Sequence, residues 1–180
     1  MHPFYSFRFC PVCGTEHFVE NNFKSKKCEQ CGFVYYFNPS AATAIFITNR
    51  VGELLVVRRA KDPAKGSFDL PGGFVDMHET AEEAIVREVK EETGLQISSP
   101  GYLFSLPNIY RYSGFDVHTV DLFFQCSMDT FSGLQAGDDA ESLFFLTKKD
   151  IQPEAFGLHS IRQAVGIWLE ASGNSALSAK

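Results

Sequence analysis

The chain carries its hydrophobic residues in two patterns. Residues 41–48, AATAIFIT, and 53–60, ELLVVRRA, are short apolar runs either side of NRVG, which predicts two strands joined as a hairpin. The stretch KDPAKGSFDLPGGF that follows is broken by Pro and Gly and predicts a loop with a short strand at residues 67–70. From Thr80 to Thr93 the period lengthens to that of a helix, with Ala81, Ala84, Ile85 and Val89 marking one face. Thr80 with Glu83 three residues later forms a capping box, and Gly94 stands at the other end. Further strands are expected near residues 96–106, 117–126 and 141–146, and a closing helix at 160–171. Strands surrounding one long internal helix give a mixed α/β domain.

The first 37 residues lack this patterning. They hold four of the five cysteines, several lysines and no helical period, and FVYYFNPS leaves them through an Asn-Pro turn. The expected division is therefore 1–37 and 38–180. Within the first unit, CPVCG and CEQCG place Cys10, Cys13, Cys28 and Cys31 in two Cys-x2-Cys knuckles separated by fourteen residues. Four thiolates suit tetrahedral Zn²⁺ and leave no open position, so the site reads as structural, a zinc ribbon. Redox pairs are disfavoured because neither knuckle sits in a βαβ context. Cys126, inside an apolar strand, reads as a core thiol.

Composition narrows the classes further. The 180 residues, 44% of them hydrophobic, suffice for one ordinary domain and a small appendage. A net charge of -6 argues against broad binding to nucleic acid or a membrane surface. No apolar run approaches the ~20 residues of a membrane span, and MHPFYSFRFC lacks the order of a signal peptide, so a cytoplasmic protein is expected.

The helix ends unusually, on REVKEETG. Glu88, Glu91 and Glu92 crowd the negative end of its dipole and fall on or beside its buried face. Lys90 points to the opposite side, and Arg87 can serve one or two of the three. Desolvated acids without partners cost several kcal/mol or take up protons. A divalent cation meets both objections, being a hard ion that takes oxygen ligands. Upstream, LPGGF lets the backbone approach a ligand, Gly73 offers a carbonyl, and Glu79 precedes the helix.

Read together, Gly73, five residues, Glu79, seven residues and Arg87-Glu88-Val89-Lys90-Glu91-Glu92-Thr93-Gly94-Leu95 match G-x5-E-x7-R-E-U-x-E-E-x-G-U, with U aliphatic, at every specified position. Chance agreement is on the order of 10⁻⁹ per starting position. The chain thus resembles the Nudix hydrolases over about residues 41–170. The resemblance implies an α/β/α sandwich that hydrolyses a nucleoside diphosphate linked to another moiety, with Mg²⁺ or Mn²⁺ as catalytic cofactor. It implies Glu88, Glu91 and Glu92 as metal ligands, the Gly73 carbonyl as a further one, and Arg87 orienting Glu79. Glu92, then Glu141, are the candidate general bases.

A zinc ribbon ahead of such a domain is similar in layout to bacterial NADH pyrophosphatases. Those enzymes carry S-Q-P-W-P-F-P after the box, whereas this chain has SLPNIYRY, keeping the Ser and Pro without the Trp-Pro-Phe-Pro portion. ADP-ribose, NAD(H) and related compounds are therefore all admitted as substrates. Asn108, Tyr110 and Tyr112, expected on a loop, offer amide hydrogen bonds and rings for a base. Arg58 and Arg59 end a strand on opposite faces, so at most one should reach a phosphate. The competing readings are a nucleoside triphosphate sanitising pyrophosphatase and a non-catalytic nucleotide-binding regulator. The resemblance also suggests a homodimer.

Overall fold

The computed structural model describes residues 5–112, 114–137 and 140–174. At the N-terminal end, β1 (Phe18–Asn22), β2 (Ser25–Cys28) and β3 (Val34–Tyr36) form a three-stranded antiparallel sheet in the order β1-β2-β3. Its core is minimal: Cys10, Phe18 and Cys28 are buried, with Phe33 packed against them. So little apolar surface leaves this unit marginal by its core alone.

The second sheet has six strands in the order β6-β5-β4-β8-β7, with β9 (Ala140–Leu146) on the other edge of β5. Its centre is β4 (Ser40–Thr48), parallel to β8 (Phe115–Ser127) from Ser40↔Thr119 to Thr48↔Ser127. The hairpin expected between β4 and β5 (Leu54–Arg59) exists at its turn, where Thr48 pairs with Leu54. Beyond that pair the strands part.

The chain from Phe68 to Val75 fills the gap. Strand β6 (Phe68–Asp69) pairs with Arg58 and Val57 of β5. The next residues run along β4 instead: Ile45 N donates to Pro71 O (3.0 Å), Thr43 N to Gly73 O (2.7 Å), and Val75 N to Ala41 O (3.1 Å). The Gly-rich loop is therefore pinned inside a split sheet.

Alternation along β4 builds both cores. Ala44 and Phe46 face α2 (His159–Asn174), joining Val56, Phe123, Phe156, Ile161 and Val165. Ile45 and Ile47 face α1 (Ala81–Thr93), joining Leu55, Ile85, Val89 and Phe124. A strand covered on both faces must be apolar at every position, which is why AATAIFIT shows no polar alternation. The result is the expected α/β/α sandwich. On the α2 side Phe46 stacks on Trp168, ring centroids 5.1 Å apart.

One segment differs from expectation. Residues 107–112, where a loop is expected beyond the strand at 96–106, are the second half of β7 (Gly101–Tyr112), paired with β8 down to Tyr112↔Phe115. Pro107 is accommodated because β7 lies at the sheet edge, where a missing N–H breaks no ladder. The β7–β8 hairpin reaches the N-terminal unit, where Phe7 meets Phe115 edge to face at 6.1 Å. Cys126 is half-buried, its thiol pushed up to about 11 by burial. Among the described residues no helix is long and apolar enough to cross a membrane.

Candidate active site

Local chemistry fixes α1 at both ends. Thr80 Oγ1 accepts from Glu83 N, and Glu83 Oε2 accepts from Thr80 N, completing the capping box. At the other end Gly94 adopts φ 72° and donates to Lys90 O. Two more of the last carbonyls are met from a distant loop: Gln135 N donates to Thr93 O (2.9 Å) and Gly137 N to Glu92 O (2.8 Å). These donors partly satisfy the carbonyl end that three glutamates would otherwise aggravate.

Arg87 organises the acidic cluster. Its Nε and Nη2 donate to the two oxygens of Glu79, both at 2.9 Å. Its Nη1 donates to Glu88 Oε1 (2.8 Å) and Glu91 Oε2 (3.2 Å), and Nη2 also donates to Phe74 O (3.0 Å). All five N–H groups of the guanidinium are thereby engaged. Bonding to Arg87 holds the Glu79 carboxyl below its ordinary range. Burial pushes Glu88 the other way, upward, with Glu91 and Glu79 adding repulsion against the pull of Arg87. Glu92 stands off this cluster and accepts from Gly72 N (3.0 Å).

The two glycines of the loop serve close approach. A Cβ on Gly73 would lie 2.5 Å from the Glu88 carboxyl carbon, and one on Gly72 (φ 148°) would lie 2.1 Å from Thr43 O. The Gly73 carbonyl accepts from both the N–H and the hydroxyl of Thr43, at 2.7 and 3.3 Å. Gly73 thereby leaves room for Glu88 and anchors the loop on β4.

Glu88 and Glu92 open onto a cavity of about 410 Å³ that extends between the Gly-rich loop and β7. Asn108, Tyr110, Tyr112 and Arg59 line it. Arg58 and Glu141 do not. Arg58 lies between the rings of Phe68 and Phe144, 4.9 and 5.3 Å from their centroids, and Glu141 is exposed on β9. Glu79 and Arg87 support the cluster from behind, and Glu91 is exposed beside it.

Two buried acids outside the sequence motifs, Asp69 and Asp121, also line this cavity. Asp69 bonds Arg59 Nη1 at 2.5 Å, while Asp121 accepts from Asn108, Thr119 and Ser160. Burial pushes the Asp69 carboxyl up, against the pull of Arg59. Arg59 also donates to Pro63 O (2.7 Å) and to the Tyr110 hydroxyl (3.3 Å), so its head is fixed at the cavity wall. An Asp inside VDLFF is the signal available in the sequence, since a buried carboxylate needs partners.

The four thiols converge more tightly than the carboxylates. Among the described residues theirs is the group of three or more ligand atoms lying within 4.8 Å of one another. The Cys10–Cys31 and Cys13–Cys28 Sγ separations are 3.7 and 3.6 Å. A tetrahedron of Zn–S bonds of ~2.3 Å has edges of ~3.8 Å, so the quartet fits zinc. The four thiols bond one another, so ionisation is shared among them: burial opposes it, while bonding from the Cys31 N–H and neighbouring groups draws the Cys28 thiol down and Cys31 is pushed up. The looser carboxylate set fits a different ion, because Mg²⁺ is held by one or two carboxylates together with waters and substrate phosphates.

Comparison with known proteins agrees with this geometry. The family model described as NUDIX domain matches residues 38–164. An ADP-ribose pyrophosphatase of Methanocaldococcus jannaschii is 37% identical over 134 residues, 73% of this chain and 75% of that protein. A protein named NAD-capped RNA hydrolase NudC from Chromobacterium violaceum is 36% identical over 102 residues, 57% of this chain but 38% of the relative's own length. The solved structure of a NUDIX hydrolase from Nitrosomonas europaea shares the fold with a TM-score of 0.68 at 20% identity, covering 91% of this chain and 90% of that one. With the family model spanning most of the chain, this protein belongs to the Nudix family and is a Nudix hydrolase.

Proposed function

We propose that the protein hydrolyses the diphosphate of ADP-ribose, NAD(H) or a closely related nucleotide, using Mg²⁺ or Mn²⁺, and that residues 1–37 form a ribbon holding one structural Zn²⁺. The observation that carries this reading is the shared cavity: box carboxylates Glu88 and Glu92 at one side, Arg59 and the amide and rings of β7 at the other. Its volume suits a nucleotide-sized ligand. The activities named for the ADP-ribose pyrophosphatase and NudC relatives support the same substrate class.

In this reading Glu88, Glu91 and Glu92 hold the divalent ion, which when bound supplies neutralising charge to the phosphoryl oxygens and lowers the pKa of water. Glu92 is the general base: it faces the cavity, and the Gly72 N–H fixes one of its oxygens. Glu141, exposed and away from the cavity, takes second place for that role. Arg87 keeps Glu79, Glu88 and Glu91 together despite their mutual repulsion. Arg59, restrained by Asp69, Pro63 and Tyr110, presents fixed positive charge to a phosphate without paying to order a flexible side chain.

The test is mass-spectrometric product analysis after incubation with Mg²⁺ and a mixture of NADH, NAD, ADP-ribose, a nucleotide sugar and nucleoside triphosphates. Mononucleotide products from an ADP-linked compound are expected. Release of inorganic pyrophosphate from a triphosphate would instead assign the sanitising activity. Absence of any turnover by folded, zinc-loaded protein would overturn the reading.

A further inference from the structure

Asn108 is buried, 9% exposed, yet lines the cavity. Its Nδ2 donates to Asp121 Oδ2 at 3.0 Å. Asp121 already accepts from two buried hydroxyls as well, so this contact sets the sense of the amide: nitrogen toward Asp121, oxygen away from it. Among the described residues Asn108 Oδ1 has no hydrogen-bond partner, and no buried side-chain oxygen is left unsatisfied, so this oxygen is open to the cavity.

Asp121 cannot turn to release the amide. Thr119 Oγ1 donates to its Oδ1 and Ser160 Oγ to its Oδ2, both at 2.5 Å. Thr119 and Ser160 are themselves buried, one on β8 and one in the first turn of α2. The carboxylate is thus gripped from three elements, and a polar amide is held in a single orientation inside a ligand cavity.

The surroundings say what that oxygen faces. Asn108, Tyr110 and Tyr112 are spaced by two along β7 and lie on one face of the strand. The Tyr110 and Tyr112 rings stack with centroids 6.4 Å apart, and Phe74 meets Tyr110 edge to face at 5.7 Å. An aromatic bench beside a fixed acceptor matches a planar ring bearing an N–H donor. A sugar hydroxyl would use such a site poorly as a discriminator, because it rotates to suit donor or acceptor alike.

We infer that Asp121 is a positioning residue that locks Asn108 as an acceptor, and that Asn108 thereby reads the exocyclic amino group of adenine in the bound nucleotide. The inference rests on the nucleotide reading of the cavity given above. A site built to bond an N–H group discriminates strongly against an analogue lacking it, because its own acceptor is then left unpaired.

The test compares AMP with purine riboside 5′-monophosphate, which lacks only the amino group, by titration calorimetry on the full chain without divalent metal. Wild type should bind AMP tighter by roughly tenfold or more. Asn108→Leu should bring the two affinities close to equality. Asp121→Asn, which lets the facing amide flip, should lower the ratio below wild type and act on KM for ADP-ribose more than on kcat. If Asp121→Asn does not fold by circular dichroism, Thr119→Val, which removes one bond fixing Asp121, is read in the same way. Equal affinities in wild type, or an undiminished ratio in Asn108→Leu, would overturn the inference, and an undiminished ratio in Asp121→Asn would remove Asp121 from it. Because binding is read without turnover, a protein that hydrolyses no ADP-linked compound but keeps the ratio would sink the proposed function alone.

Discussion

Arg87 and Glu79, eight residues apart, face each other as a two-bonded pair, Nε to Oε1 and Nη2 to Oε2, each at 2.9 Å. The pair closes the Gly-rich loop onto α1, since the same guanidinium also donates to Phe74 O. The box carboxylates and the loop they face are therefore tied by one side chain.

Arg87→Ala should lower stability by about 1–3 kcal/mol at neutral pH, because several charge-assisted bonds are lost together. The pH dependence has a defined sign. Arg87 holds Glu79 below its unfolded value, so this contribution is fully present above about pH 4.3 and is lost as pH falls through the lowered value. Urea melts of both proteins should show their difference narrowing below about pH 4.3; a constant difference would rule out the pair as its source.

Glu88 and Glu92 should matter to turnover far more than to folding. Glu92→Gln is expected to reduce kcat by roughly 10²–10⁴-fold with an unchanged circular dichroism spectrum. A regulator that only binds nucleotide would keep its ligand affinity and have no kcat to lose.

Divalent metal should raise Tm, and the rise should depend on pH. The folded-state pKa of Glu88 is raised, so without metal its protonation favours the folded state as pH falls, and protons compete with the cation over that range. The shift in Tm with Mg²⁺ should shrink as pH falls through the raised Glu88 value, starting above the ordinary carboxylate range, and be mostly lost in Glu88→Gln. An equal shift in that variant would place the ion elsewhere.

The adjacent glycines separate two effects. Gly72→Ala sets a methyl against Thr43 O in a backbone conformation that disfavours side chains, and should destabilise by about 1–3 kcal/mol. Gly73→Ala sets a methyl against the Glu88 carboxylate and should cut kcat more than it lowers Tm. Thermal melts beside initial rates tell the two apart.

The N-terminal thiols should bind one zinc per chain, measured by elemental mass spectrometry. Cys28→Ser, or chelation, should abolish the metal and the protease resistance of residues 5–37 while the α/β domain still melts cooperatively. Full protection of the metal-free ribbon would mean its small apolar core suffices by itself.

Those parts of the molecule governed by neighbours in sequence were legible beforehand. The limits of α1 follow from Thr80, Glu83 and Gly94, and the box is a matter of spacing within one loop and one helix. The cysteine knuckles are equally local. Pro107 and Asn108 weigh against a strand over 107–112, and nothing in the sequence says that β7 is an edge that tolerates them. Asp69 and Asp121 escaped notice because their partners, Arg59 and Asn108 with Ser160, arrive from other strands and from α2. Strand alternation sets Arg58 and Arg59 on opposite faces, but that Arg59 is the one at the cavity wall follows from where Asp69 lies.

The β7–β8 hairpin has a wider meaning for how such a chain diversifies. It carries Asn108, Tyr110 and Tyr112, touches the cysteine-bearing unit through Phe115, and contributes none of the box glutamates. In the proposed reading, bond breaking belongs to one loop and helix, and choice of cargo to this separate hairpin. Drift in the hairpin can thus rewrite what the protein accepts while the phosphate-cleaving apparatus stays untouched.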